Sequence, residues 1–226
     1  MKILLLAGVS ALVLSLGLAR AHAADPAAVD DPVRAEDLWY VSLFGGASFP
    51  SGLETERSGV QFDPDLDTGF LVGATVGRRI NDAFRVEAEL SYARYKTDRV
   101  NYSNGSYDLA GGDLSATYLL ANVWADVTRL GEASVYVGGG LGAAYVDGDI
   151  YFSDPSSLGY GSSEWGFAGQ LGAGVTYAVA QNVDLDFGYR FKAVTGLDFQ
   201  DRMGGADFAD GDLYTHNLQF GVTARF

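Results

Sequence analysis

From Leu38 to Phe226 apolar side chains return at every second position, the period of a strand with one face in an apolar medium. The clearest segment sets Val183, Leu185, Phe187, Tyr189 and Phe191 against Asp184, Asp186, Arg190 and Lys192. The last one sets Leu218, Phe220, Val222, Ala224 and Phe226 against Asn217, Gln219, Thr223 and Arg225. Another sets Phe84, Val86, Ala88, Leu90 and Tyr92 against Arg85, Glu87, Glu89 and Ser91. Eight such strands are predicted, at 38–49, 68–79, 84–96, 113–128, 134–146, 165–178, 183–196 and 213–226.

The connections alternate in length. Short turns fall at Ile80–Ala83, Arg129–Ala133 and Val179–Asn182; the stretches 50–67, 97–112, 147–164 and 197–212 read as long, polar, acidic loops. Short turns at one end and long loops at the other predict an all-β fold, an eight-stranded antiparallel up-and-down transmembrane barrel of outer-membrane type. An even strand count returns both termini to the short-turn side, so the termini are expected in the periplasm and the long loops outside. A soluble barrel of lipocalin type would carry its bulky residues inward. Here the apolar face holds Phe, Tyr, Leu and Val, with Trp39, Phe49 and Trp165 near strand ends as an aromatic girdle. The other face is rich in small residues, among them Gly138, Gly140, Gly142, Gly172 and Gly174. An eight-stranded lumen has room only for packed side chains, so small residues and ion pairs are expected inside and bulky aromatics outside.

The N-terminal segment reads differently. Lys2 precedes an apolar run from Ile3 to Leu18, followed by Ala21-His22-Ala23. This is a signal peptide spanning residues 1–23, with cleavage expected between Ala23 and Ala24. Residues 24–37, rich in Ala, Pro and acids, are expected as a mobile periplasmic tail, and residues 38–226 as the barrel.

Composition narrows the function classes. The chain of 226 residues has a net charge of −14, which becomes −16 without residues 1–23. Nucleic acid is therefore not an expected partner, because phosphate binding needs a basic footprint. Cys is absent and His216 is the one histidine beyond the signal, so thiolate and most His-based chemistry are starved of ligands.

Several segments carry a family likeness. Gly69-Phe70-Leu71-Val72-Gly73-Ala74-Thr75-Val76-Gly77-Arg78-Arg79-Ile80 and Phe84-Arg85-Val86-Glu87-Ala88-Glu89-Leu90-Ser91-Tyr92 resemble the small outer-membrane β-barrel family. Val135–Gly142, Leu185–Phe191 and His216–Phe226 extend the resemblance over the chain from Leu38 onward. The family includes opacity-type surface antigens and is similar to the transmembrane domain of outer-membrane protein A. The resemblance implies a Gram-negative outer-membrane location, contact with lipid and lipopolysaccharide, and insertion by the barrel-assembly machinery. It also implies that the row Leu218, Phe220, Val222, Ala224 and Phe226 is the assembly signal. A peptidoglycan-binding domain of the outer-membrane protein A kind is not present in the sequence, and tethering to the cell wall is not carried over.

Most candidate sites read as structure. Gly138-x-Gly140-x-x-Ala143 imitates a dinucleotide fingerprint without the strand–helix context it needs. The sequons at Asn101 and Asn104 are loop composition. Asp63, Asp65 and Asp67 alternate as in a calcium loop, but Thr68 and Ala74 stand where an EF-hand requires Gly and Glu. A looser divalent site with Glu54, Glu56, Asp147, Asp149, Asp210 and Asp212 is a weaker alternative to solvated acids. His216 faces outward by parity, yet Leu218 occupies the place of a serine nucleophile, so it reads as an interfacial ring beside Tyr214.

One constellation remains. Arg85, Glu87, Glu89, Asn122, Asp126, Gln170, Asp184, Asp186, Arg190, Lys192, Asn217, Gln219 and Arg225 share the inward parity. Buried charges persist when paired, so a lumen plugged by ion pairs is expected. The expected function is envelope integrity and surface interaction by a monomer without cofactor or catalysis. A small-solute diffusion channel is the alternative, and an outer-membrane lipid hydrolase the more distant one.

Overall fold

The computed structural model describes residues 39–57, 60–102, 105–152, 160–200 and 207–226. The expectations for the signal peptide, the Ala23–Ala24 cleavage and the tail all lie outside those residues. The described chain forms β1 (Trp39–Arg57), β2 (Val60–Leu66), β3 (Gly69–Arg79), β4 (Phe84–Tyr102) and β5 (Gly105–Leu130). It continues as β6 (Ala133–Phe152), β7 (Tyr160–Ala180), β8 (Val183–Gln200) and β9 (Asp207–Arg225). Neighbours pair antiparallel throughout, and β1 pairs with β9 to close the sheet.

Nine segments make eight staves. β2 and β3 both lie between β1 and β4, so they form one stave interrupted at Asp67–Thr68. Closure leaves no free edge around the lipid-embedded wall, which is the condition for a β-structure to stand in hydrocarbon. Stepping round the ladder from Phe84 through Ala125, Val137, Ala173, Tyr189, Leu218, Ala47 and Phe70 returns to β4 at Arg94, ten residues further on. That stagger tilts the staves by roughly 40° and gives a lumen about two side chains across.

The short turns are locally encoded. Asn81 Oδ1 accepts the N–H groups of Ala83 and Phe84, and Gly131 takes φ 62° at the start of its two-residue turn. The other end departs from expectation. The stretches predicted as long loops are mostly ladder: β4 and β5 pair up to Tyr102↔Gly105, β5 and β6 up to Leu109↔Phe152, and β8 and β9 up to Gln200↔Asp207. The reason is physical. Above the lipid both faces of a hairpin are wet, so the alternation of apolar residues fades while backbone pairing still satisfies every N–H and C=O. Asp63 and Asp65 sit in β2 opposite Asn101 and Arg99, and no cluster of three or more metal-ligating side chains occurs among the described residues.

Outward positions form an apolar band, with Leu90, Leu119, Leu141, Leu171, Phe187 and Phe220 exposed around its middle. Trp39, Phe84 and Tyr177 lie exposed toward the short-turn end, Phe49, Phe70 and Trp165 toward the hairpin end.

Candidate functional site

The lumen is the one place where polar side chains converge among the described residues, and it is built in three storeys. In the storey nearest the short turns, Asp126 receives Arg79 Nη1 at 2.9 Å and Arg85 Nη1 at 2.8 Å. Glu87 accepts the Tyr40 hydroxyl and the Trp124 indole N–H, each at 2.8 Å, with Arg85 Nε at 3.5 Å. Arg225 meets Asp184 at 3.1 Å, and the Tyr136 hydroxyl donates to Asp186 at 2.9 Å while accepting Arg190 Nη2 at 2.7 Å. The Arg190 guanidinium also lies over the Trp124 ring, 4.1 Å from its centroid.

The middle storey centres on Glu89. One carboxylate oxygen takes Lys192 Nζ at 2.6 Å and the Ser91 hydroxyl at 2.8 Å; the other takes Asn122 Nδ2 at 3.0 Å and Gln170 Nε2 at 2.6 Å. Lys192 also donates to Ser91 Oγ and stands over the Tyr118 ring. A carboxylate with four donors, facing an ammonium with two acceptors and a ring face, is the arrangement that lets a buried ion pair persist. Beside it Asn217 contacts Ser48, Thr215 and the Arg190 carbonyl, and Gln219 is buried.

The third storey, toward the hairpins, is apolar. Leu71, Tyr95, Leu114, Tyr118, Leu120, Val146, Val194, Leu197 and Leu213 pack there with Ala93, Ala116, Ala144 and Ala168, all essentially without exposure. Nothing in the sequence reading anticipated this layer inside the barrel. The expectation that bulky aromatics stay outside is also corrected: Tyr40, Tyr95, Tyr118, Trp124 and Tyr136 are buried in the lumen. Glycines on neighbouring staves supply the room. A Cβ at Gly174 would strike the Tyr136 ring, and one at Gly77 the Tyr40 ring.

Of the inward-parity residues named from sequence, Arg85, Glu89, Asn122, Gln170, Asp184, Arg190, Lys192, Asn217 and Gln219 are buried, and Glu87, Asp126, Asp186 and Arg225 are half-buried. Arg79, Tyr40, Trp124, Tyr136 and Ser91 belong to the same network and were missed, although their parity is legible. On the outer wall Leu218 and Phe220 are exposed, Val222 and Ala224 half-exposed, and the Phe226 N–H donates to the Trp39 carbonyl. His216 faces outward, its Nδ1 2.6 Å from the Tyr189 hydroxyl and its ring packed against Phe191.

Charge is divided sharply between the two parts of the molecule. Residues 38–226 hold 24 acids and 12 cations. The lumen and short-turn end contain seven acids (Asp82, Glu87, Glu89, Asp126, Glu132, Asp184, Asp186) and seven cations (Arg78, Arg79, Arg85, Arg129, Arg190, Lys192, Arg225). The other 17 acids and five cations all fall within 50–69, 94–113, 147–164 and 197–212, the stretches whose described residues form the hairpin end.

Comparison with known proteins adds the following. Residues 10–226 match the profile of the outer membrane protein beta-barrel domain. An uncharacterised protein of Brucella suis is 32% identical over 201 residues, covering 73% of this chain and 71% of the relative. A candidate adhesin of Rickettsia conorii is 26% identical over 211 residues, covering 84% of each chain. Among solved structures, Neisserial surface protein A superposes with a TM-score of 0.50 at 22% identity, covering 83% of this chain and 97% of that one.

Proposed function

The chain belongs to the outer membrane protein beta-barrel domain family and lies in the outer membrane of a Gram-negative cell; from that premise we propose an envelope and surface-interaction role for a barrel whose lumen does not conduct. The observation that carries this reading is the division of charge: a neutral lumen, and the whole net charge of residues 38–226 in the four sequence stretches whose described residues form the hairpins. The hairpins face outward from the cell and the termini lie in the periplasm. The barrel acts as a monomer, is inserted by the assembly machinery, and meets lipopolysaccharide and external partners through its acidic rim. The likeness to a candidate adhesin over 84% of the chain supports the surface role. The lipid-hydrolase reading has less support, because His216 sits among Tyr189, Phe191 and Tyr214.

The test has two arms. Purified barrel in planar bilayers is expected to give no steady single-channel steps; large, stable steps would move the diffusion-channel reading to first place. A deletion strain is expected to lose surface binding or envelope integrity, and to recover it with wild-type protein but not with a version whose hairpin acids are amidated. Full recovery by that version would remove the rim from the mechanism.

A further inference from the structure

We infer that the apolar storey alone seals this barrel, and that the charged storeys beneath it form a hydrated vestibule entered from the short-turn end. This rests on the closed-lumen reading and sharpens it, since the ion pairs then hold the wall together and do not close it.

Three observations meet here. A cavity of about 50 Å³ lies among the charged side chains, bounded by Tyr40, Thr75, Arg85, Glu87, Asp186 and Arg225. That is more than the space a single water needs. Thr75 is 6% exposed, its hydroxyl has no hydrogen-bond partner in the protein, and it lines this cavity. The Arg225 Nε, on the same wall, is likewise buried without a partner. Buried polar atoms of this kind are commonly satisfied by water.

Exposure then falls in one direction. Side chains at the stave ends keep contact with solvent, Arg225 at 24%, Arg79 at 15% and Asp184 at 12%, whereas Glu89 and Lys192 in the middle storey have 5% and 1%. Arg79 ends β3, Arg225 ends β9 and Asp184 stands one residue into β8, so the mouth is at the short turns. Beyond Lys192 the lining becomes Leu71, Leu114, Val146, Val194, Leu197 and Leu213. Of the thirteen side chains packed there only Tyr95 and Tyr118 carry a polar atom, the Tyr118 hydroxyl being without a partner, so a hydrated ion would have to shed its shell. The barrier therefore lies at the hairpin end of the lumen, and periplasmic water reaches the middle of the barrel.

The chain has no cysteine, so single cysteines report access cleanly. Thr75→Cys, Ala116→Cys and Ala168→Cys are introduced separately into the full barrel, reconstituted in vesicles with one orientation. A charged, membrane-impermeant methanethiosulfonate is then applied to one side at a time. Shifted migration of unboiled protein verifies folding, and Ser42→Cys on the same cavity wall replaces Thr75→Cys if that variant fails to fold. Thr75→Cys is expected to react from the short-turn side at least about tenfold faster than from the hairpin side. Ala116→Cys and Ala168→Cys are expected to resist both sides until the barrel is unfolded, since access would require local opening of a packed layer. Thr75→Cys reacting equally from both sides, or from neither, would overturn the inference, as would labelling of folded Ala116→Cys. Conductance of the unmodified barrel separates the two claims: steady steps sink the closed-lumen reading itself, whereas a silent barrel labelled at Thr75→Cys from the hairpin side sinks this inference alone.

Discussion

Replacing Glu89 with Ala is the sharpest perturbation of the lumen. The carboxylate accepts four hydrogen bonds, from Lys192, Ser91, Asn122 and Gln170, and its loss strands an ammonium whose side chain is 1% exposed. Removing one member of a buried pair costs about 3–5 kcal/mol, most of it the penalty of the unpaired charge. The Asn122 amide loses an acceptor as well, worth about 1–3 kcal/mol, while Gln170 keeps Asn122 Oδ1 at 2.7 Å. Lys192 retains only the Ser91 hydroxyl and the Tyr118 ring face. A total near 5 kcal/mol is expected, at the lower end if vestibule water reaches the ammonium. Lys192→Met in the Glu89→Ala background removes the stranded charge and is expected to restore about 2 kcal/mol, a coupling that a double-mutant cycle resolves. Urea unfolding in lipid vesicles followed by tryptophan emission measures both, with Trp124 reporting from within the lumen. A Glu89→Ala loss below about 1 kcal/mol, or a double variant less stable than the single one, would refute the reasoning.

Gly172→Ala places a Cβ against Arg190 Cδ and the Tyr189 carbonyl oxygen, and is expected to cost about 1–3 kcal/mol in the same unfolding assay; an unchanged midpoint would show that the wall can give. Leu171→Arg, at a position 67% exposed to lipid, is expected to cost about 2–4 kcal/mol while Leu171→Ala costs far less; equal losses would place this face outside the hydrocarbon. Protease added to sealed cells is expected to cut at hairpin tips and to spare the Asn81–Asp82 turn; cleavage there would invert the assigned orientation.

What the sequence reveals and what it hides follow from the solvent each residue meets. Lipid demands an apolar side chain at every second place, so Phe84, Val86, Leu90 and their counterparts announce both strand and outward face. No such demand acts on the hairpins, where Asp63, Asn101 and Asp210 sit in ladders that carry no hydrophobic signature. Inside, parity places Glu89 and Lys192 on the inner wall, but their meeting depends on register across staves 103 residues apart in sequence. The lumen rings are a similar case. Trp124 shares its parity with Asn122 and Asp126, yet it fits only because Gly138 stands opposite it on β6. The apolar storey was open to inspection: past Ser91 the inward positions of β4 become Ala93 and Tyr95, and β5 answers with Leu114, Ala116 and Tyr118. A reading that assigns one polarity to each face along its whole length conceals that change.

The division of charge also follows from the medium that each part of the barrel meets. In the lumen each acid has a cation or a cluster of donors within reach, because at an effective dielectric near 20 two like charges 4 Å apart repel by about 4 kcal/mol. At the hairpin end the rule is relaxed. Glu54 opposes Asp212, Glu56 opposes Asp210, Asp210 opposes Asp198, and Asp113 opposes Asp149 in the ladders. The half-exposed Arg94–Asp113 pair there contributes at most about 1 kcal/mol. Ladder positions of like charge are tolerated where the medium screens charge within about 8–10 Å, as water above the apolar band does and a packed lumen does not.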